Sequence, residues 1–410
     1  MAEENIKAII ELGNVKIKCI IFKNDVNFKT EILSSSICDS KGIHNGVIVN
    51  SSQASDVIRA CLSEAEKKAN LTLKKINVII EQPEFLCTKF SKNRKINGSK
   101  IQKEDISFLL KEAKKQVTLN DPRQSIIHIF NHNYIVDGKT FLKEPINIYA
   151  DYLSHEMTFV TSPKNIIKNI NQVFLECDIE IERLISGIFA LGAFHLNETE
   201  LNLGSILIDI GFEKVSLGIF KQFALVHSFT LPIGINHLIK DISRVCSLTL
   251  EESEKIVKEI KFLDKTRETN KKEILPDHFF ISTKFRKITL DLIYDVIKSR
   301  LEEIFEILYK EIKYLGLKKN SGQSIFIVGG GSNLSYIREF SSILLEAEVK
   351  KLSVEKNDTI NIVENFKYFA SCLGALKIIN SGWETEAIPE KNTHPHSKLA
   401  FFSKIFGIKN

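Results

Sequence analysis

Two stretches of the chain, about half its length apart, repeat one pattern of apolar and polar positions. Ala8-Ile-Ile-Glu-Leu-Gly-Asn-Val-Lys-Ile-Lys-Cys-Ile-Ile-Phe22 lines up with Ile206-Leu-Ile-Asp-Ile-Gly-Phe-Glu-Lys-Val-Ser-Leu-Gly-Ile-Phe220. Each runs as an apolar strand, an acid (Glu11, Asp209), one apolar residue and a glycine (Gly13, Gly211). After two more residues comes a lysine (Lys16, Lys214), then a second strand ending in Ile-Phe. The pattern predicts a β-hairpin in each copy, with the acid and the glycine at its bend. A glycine and a charge are common at turns in general. Two copies in matching register indicate an internal duplication.

A glycine at such a bend lets backbone N–H groups turn inward and form an anion-binding concavity. The adjacent carboxylate is suited to a hydrated magnesium ion, which keeps most of its water. Gly13, Asn14, Val15 and Lys16, with Gly211, Phe212, Glu213 and Lys214, are therefore candidate phosphate clamps. Glu11 and Asp209 are candidate metal carboxylates acting through water.

A third glycine site reads Ser324-Ile-Phe-Ile-Val-Gly329-Gly330-Gly331-Ser332-Asn-Leu. It predicts a buried strand, a triple-glycine turn and a helix capped by Ser332 or Asn333. Leu334, Ile337, Phe340, Ile343 and Leu344 follow at helical spacing. Backbone as bare as Gly329, Gly330, Gly331 and Ser332 can lie flat against a nucleoside, although the third glycine of the dinucleotide fingerprint is missing. Thr249–Lys261 predicts a helix with a Thr or Ser cap and with Lys255, Lys258 and Lys261 three apart. These lysines form a solvated face, or else Lys258 and Lys261 reach the base and ribose of a nucleotide.

Beyond Trp383 a polar, proline-containing linker (384–397) leads to Lys398-Leu-Ala-Phe-Phe-Ser-Lys-Ile-Phe-Gly-Ile-Lys-Asn410. On a helix, Leu399, Phe401, Phe402, Ile405, Phe406 and Ile408 fall within about half the circumference. Lys398 and Lys409 flank that face, where their stems can snorkel. Such a helix either lies in the interface of an anionic membrane or docks on the protein's own core or a partner groove. The polar linker and the purely basic charge favour the membrane.

Composition narrows the field. A chain of 410 residues with 43% hydrophobic and 26% charged residues is a folded protein of two or more domains. A net charge of +5 with intermixed signs gives no basic stripe of nucleic-acid type. Its seven cysteines are scattered and never form a C-x-x-C pair, as expected of free thiols in a reducing compartment. The acidic start Met1-Ala-Glu-Glu-Asn is unlike a secretory signal, and no run reaches the ~18 apolar residues of a spanning helix. The expected location is cytoplasmic unless something attaches the chain to a surface.

Two hairpin clamps, a glycine-rich turn and a lysine-bearing helix, in this order, resemble the actin–Hsp70–sugar kinase superfamily. Within it, the chain resembles the FtsA family of bacterial cell-division proteins over nearly its whole length. Ser40-Lys-Gly42-Ile-His-Asn-Gly46-Val-Ile-Val-Asn50 is similar to the family's S-R-G-x-x-x-G and the apolar run after it. His128-Ile-Phe-Asn-His-Asn-Tyr134-Ile-Val-Asp137, with Glu144-Pro145-Ile146, resembles the H-x-x-P-x-x-Y-x-x-D…N-P-x-G stretch of an inserted subdomain. Val296-Ile-Lys-Ser-Arg300-Leu-Glu-Glu-Ile304 matches I-x-x-R-x-x-E-I.

The resemblance implies an α/β, duplicated actin-like (RNase H-like) fold with an inserted small α/β subdomain and a C-terminal amphipathic helix. The first lobe would be 1–82 with 162–198 and 362–383, and the inserted subdomain 83–161. The second lobe would be 199–243 with 306–361, carrying a cap subdomain at 244–305; the linker spans 384–397 and the membrane helix 398–410. It further implies a scaffold that binds ATP with magnesium, self-assembles into protofilaments and tethers FtsZ filaments to the cytoplasmic face of the membrane at the division site. Arg300 lies in the region that grips FtsZ, and other division proteins dock on the inserted subdomain. No nucleic acid and no catalytic side chain are implied. A PilM-type pilus-assembly protein, or an active ATPase or small-molecule kinase, is the alternative. The family's second clamp usually reads D-I-G-G-G-T, whereas here Phe212, Glu213 and Lys214 follow Gly211. In the first clamp, Asn14 stands where Thr or Ser is frequent. These departures imply weakened nucleotide binding and, above all, weakened hydrolysis.

Overall fold

The computed structural model describes residues 5–24, 30–141, 144–260, 273–283, 287–314, 324–352 and 366–381. The chain divides into two compact units, one of Met1–Ser205, Gly218–Phe229 and Val354–Asn410, the other of Ile206–Leu217 and Thr230–Ser353.

In the first unit, β1 (Asn5–Leu12) and β2 (Lys16–Asn24) form the expected antiparallel hairpin, with Glu11 opposite Lys18. Next come β3 (Thr30–Asp39), the short β4 (Ile43–His44) and β5 (Val47–Ile48), and α1 (Ser51–Ala69). Asn50 caps α1 by accepting from the N–H of Gln53 at 3.1 Å, and Asn70 ends it in the left-handed region. β6 (Lys75–Ile80) returns parallel to β1. Consecutive residues of β1 and β2, such as Ile9 with Ile10 and Ile20 with Ile21, are all buried, so both faces of this sheet are covered. Each such side chain contributes about 1.5–3 kcal/mol of burial.

An inserted α/β module follows: β7 (Leu86–Lys100), α2 (Lys103–Asn120), β8 (Gln124–Val136), β9 (Lys139–Phe141) and β10 (Tyr149–Pro163). Its sheet is antiparallel, in the order β7-β10-β8-β9. α2 is amphipathic and buries Ile106 and Leu109 in a cluster with Ile96, Tyr134 and Leu153. Then come α3 (Lys164–Leu175), β11 (Glu180–Ser186) parallel to β6, α4 (Gly187–His195) and α5 (Glu198–Leu203). A buried polar seam fastens the module to its own unit. His128 Nε2 accepts from the N–H of Ser186 at 2.8 Å, Gln82 Nε2 donates to Ser162 Oγ at 2.7 Å, and Glu81 Oε2 accepts from Ser186 Oγ and the N–H of Ile188. Burial holds His128 neutral by pushing its pKa well down, with Arg183 adding to the effect.

The remaining elements are β12 (Ser205–Ile210), β13 (Val215–Lys221), β14 (Ala224–Leu231), α6 (Ile235–Cys246), α7 (Leu250–Glu259), α8 (Leu290–Tyr314), β15 (Ser324–Val328), α9 (Ile337–Leu344), β16 (Val349–Lys351) and α10 (Ala370–Ser381). The second large sheet runs β14-β13-β12-β15-β16, and the first runs β3-β2-β1-β6-β11. Matched strand for strand, the two have one topology, so the duplication read from the hairpins extends to whole sheets.

Thr249 caps α7, as its hydroxyl accepts from the N–H of Glu252 while Glu252 accepts from that of Thr249. The buried Glu252 carboxylate also accepts from the N–H groups of Ile281, Ser282 and Thr283 at 2.6, 2.7 and 3.1 Å. Burial alone would raise its pKa, but these bonds outweigh it and hold the group down at about 2. The helix after the third glycine site starts later than its sequence suggested. Ser332 Oγ donates back to the carbonyl of Gly329 and Asn333 Nδ2 to that of Gly330. These bonds favour a 3₁₀ turn over Gly330–Asn333, and α9 begins at Ile337 with no side-chain cap. Lys261 and the tail 384–410 lie outside the described residues.

Candidate functional site

The first turn belongs wholly to the first unit. A Cβ on Gly13 would lie 2.4 Å from the carbonyl oxygen of Lys16, so the bend itself demands glycine. Asn14 Oδ1 accepts from the N–H of Gly46 at 3.2 Å, and the Val15 carbonyl accepts from that of Ser40 at 2.9 Å. Val15 is 47% exposed, and Lys16 Nζ reaches out to Asp39 Oδ1 at 2.5 Å. Glu11 Oε2 accepts from Lys18 Nζ at 2.7 Å and from Ser371 Oγ at 2.6 Å. The Glu11 charge is thus compensated locally, which leaves Oε1 as the atom for any metal-bound water.

The second turn repeats the backbone with different contents. Gly211 donates its N–H to the carbonyl of Lys214 at 2.9 Å, and a Cβ there would lie 2.8 Å from that oxygen. The start of α6 presses against this turn. A Cβ on Gly234 would meet the Phe212 carbonyl oxygen at 2.5 Å and the Lys214 nitrogen at 2.6 Å. The N–H groups of Ile235 and Asn236 donate to the carbonyls of Gly211 and Phe212 at 3.2 and 2.7 Å. Those are the amides an anion would otherwise use at a helix start. Asn236 Nδ2 donates to Glu213 Oε1 at 2.7 Å, and Glu213 Oε2 is buried with no hydrogen-bond partner among the described residues. Protein groups and a carboxylate therefore fill the concavity that a phosphate would need, and in this arrangement it does not fit one.

The glycine-rich turn fits a nucleoside better. A Cβ on Gly329, whose φ is +87°, would strike Asp209 Oδ1 at 2.1 Å, and one on Gly331 would strike the Ile210 side chain at 2.4 Å. Both are needed for close approach to β12. A Cβ on Gly330 would meet nothing within 4 Å. Gly329 and Gly330 are exposed while Ser332 is buried, so the turn offers bare backbone at its outer edge. Tyr336 Oη donates to the carbonyl of Val257 at 3.3 Å and Ser335 Oγ to that of Ile260 at 3.2 Å, tying the end of α7 to the chain beyond this turn. Lys258 on α7 pairs with Glu254 at 2.5 Å and is 65% exposed.

The second unit thus brings together Asp209, the second turn and the glycine turn. Glu11 and the first turn lie in the other unit. Among the described residues no group of three or more His, Cys, Asp or Glu could hold a metal ion on its own. The sequence reading missed the part played by Gly234 and Asn236. Their signal was Pro232-Ile-Gly234 leading into an amphipathic helix.

Arg300 on α8 is engaged rather than free. Its guanidinium grips Asp241 of α6 with Nε at 2.6 Å and Nη2 at 3.0 Å, and Nη1 bonds Glu303. Beside it is an open concavity of about 360 Å³, where Val245 and Val296 supply apolar surface and Asp295 and Glu303 supply charge.

Comparison with known proteins accounts for this arrangement. The family described as "SHS2 domain inserted in FTSA" matches residues 85–161, and "Cell division protein FtsA" matches residues 206–374, together well over half of the chain. The cell division protein FtsA of Agrobacterium fabrum is 23% identical over 358 residues, 84% of this chain and 80% of that protein. Among solved structures, the PilM-PilN type IV pilus biogenesis complex superposes with a TM-score of 0.62 at 12% identity, covering 90% of this chain and 96% of that one. MreB5 of Spiroplasma citri bound to AMPPNP gives 0.53 at 12% identity, covering 92% and 96%. The fold is therefore the duplicated actin-like one with an inserted SHS2 module. The chain belongs to the FtsA family of cell-division proteins.

Proposed function

We propose that the protein tethers FtsZ filaments to the cytoplasmic face of the membrane at the division site, as a peripheral, self-assembling scaffold that binds ATP. One observation carries this reading: a chain of this family ends in a cationic, phenylalanine-rich amphipathic segment behind a polar linker. No helix among the described residues is long and apolar enough to cross a membrane. Burying a few aromatic side chains gives weak, reversible binding, and assembly of copies into a protofilament multiplies it.

ATP serves as a structural ligand more than as fuel. Gly329–Ser332 receives the adenosine, with Lys258 of α7 beside it. The first turn, Gly13–Lys16, receives phosphate, and Glu11 in the first unit and Asp209 in the second are each the carboxylate offered to magnesium-bound water. The second turn, filled by Glu213, gives the phosphates no clamp, which weakens binding and, above all, hydrolysis. The concavity beside Arg300 suits an FtsZ segment that carries an apolar side chain for Val245 and Val296 and a cation for Asp295 and Glu303. The inserted module receives other division proteins.

Co-sedimentation with phosphatidylglycerol vesicles, with and without FtsZ, tests the tether. The whole chain should carry FtsZ down with the vesicles, and a chain lacking 398–410 should leave both in the supernatant. Unchanged sedimentation of the shortened chain would falsify the reading.

A further inference from the structure

The sheet of the inserted module has two very different edges. β9 is three residues long, whereas β7 runs for fifteen and pairs with β10 alone among the described residues. An edge strand presents a row of unpaired N–H and C=O groups, and proteins protect such edges by shortness, charge or cover. β9 is protected by shortness. β7 is protected by charge of one sign: it carries Lys89, Lys92, Arg94, Lys95 and Lys100 and no carboxylate.

The strand places these cations in two groups. Lys92 and Arg94 turn towards α2, where Lys92 Nζ bonds Gln116 Oε1 at 3.0 Å and Arg94 Nε pairs with Asp105 at 3.0 Å. Lys89, Lys95 and Lys100 are exposed and form no ion pair among the described residues. Lys95 lies 5.9 Å from the ring of Tyr152, its register partner on β10, and Lys100 lies 5.2 Å from that of Tyr149, also its partner. Both rings are exposed, Tyr149 at 68% and Tyr152 at 54%. β10 carries two carboxylates: Asp151, exposed beside Gly98 beyond the regular stretch, and Glu156, which accepts from Asn133 Nδ2 at 3.2 Å. Lys89–Ile96 is the regular stretch. Before it, Cys87 is engaged with Ser228; after it, Asn97 and Gly98 take left-handed conformations.

We propose that the Lys89–Ile96 edge of β7 is a docking strand for an extended acidic segment of a partner protein, which adds to the sheet by backbone pairing. The inference rests on the reading of the inserted module as a partner surface and names the partner's chemistry. Charge selects the occupant. A second copy of β7 would bring like charges into register along its whole length, which is strongly disfavoured. An acidic strand replaces that repulsion with attraction to Lys89 and Lys95, which are on one face about 20 Å apart. Tyr149 and Tyr152 supply flat, low-entropy contact area beside it.

The probe is a labelled synthetic peptide of about twelve residues alternating Glu with Thr and Val, long enough for the regular stretch. Its controls are the same peptide with Lys for Glu and one with Pro at alternate positions, which cannot pair. With the whole chain, the acidic peptide should bind and should slow amide hydrogen exchange within 89–96. The exposed double substitution Lys89→Glu with Lys95→Glu should weaken binding at least about tenfold. Three outcomes overturn the proposal. Equal binding of the proline peptide would mean that no strand is added. Protection elsewhere in 85–161 would leave the module a partner surface and remove the edge. Protection of 89–96 by phosphatidylglycerol vesicles and not by the peptide would make this a membrane-facing surface.

Discussion

The two hairpin turns, one in each unit, share a backbone and differ in what surrounds it. In both, a glycine packs against the carbonyl oxygen of a lysine three residues on, with no room for a Cβ. Around the first, Val15 and Lys16 face outward and Glu11 is balanced by Lys18. Around the second, the start of α6 closes over the bend, and Glu213 is held there by Asn236 with one oxygen unpartnered. The repeated glycine therefore reports the turn itself, and what each turn can hold is set by the groups around it. Duplication preserved geometry, and chemistry diverged on top of it.

If the backbone is the shared feature, Gly13→Ala and Gly211→Ala should both destabilise, by about 1–3 kcal/mol, because the clashing atom is backbone and has little freedom to move. The Gly13 substitution should cost more, since its contact is the closer. Urea unfolding with unchanged slope is the measurement. Tolerance at one turn and loss at the other would break the equivalence.

The divergence predicts opposite signs for two similar changes. Glu213→Gln removes a negative charge, one oxygen of which is covered and unpartnered among the described residues, from beside the place a phosphate would take, and should raise ATP affinity about tenfold, or ~1.4 kcal/mol. Glu11→Gln leaves Lys18 without its carboxylate partner, and should lower the melting temperature without raising ATP affinity. Titration with a fluorescent ATP analogue in magnesium buffer, beside thermal unfolding, separates the two. Loss of ATP binding in Glu213→Gln would mean that Glu213 helps hold the ligand.

The hairpins, the glycine turn and the cap on α7 were legible in the sequence because each follows from local chemistry: apolar runs interrupted by glycine, or a Thr three residues before a Glu. What escaped was made by distant segments meeting. Nothing near Phe212 announces that Gly234 will press on it. Glu252 reads as the acid of a capping box, yet it also collects N–H groups from 281–283. Ser332 and Asn333 are good cap residues by type, but their side chains bond back to glycine carbonyls and delay the helix. The basic edge of β7 was not read from the sequence, because its position at a sheet margin follows from the strand order alone.

The smallest expected effect is a pH response confined to the second turn. The N–H of Gly234 donates to His237 Nδ1 at 3.2 Å, which requires that nitrogen to be unprotonated. Burial lowers the His237 pKa, against an opposing pull from Glu213. A histidine depressed in the folded state binds its proton first in the unfolded state, so stability is present above the unfolded pKa of about 6.5 and declines as pH falls below it. Solvent screening limits the change to a fraction of a kcal/mol. The difference in unfolding free energy between the natural chain and His237→Gln should therefore shift in favour of the glutamine variant between about pH 6.5 and 5. A parallel pH dependence in the two proteins would show that the closure of α6 over Glu213 does not depend on this imidazole.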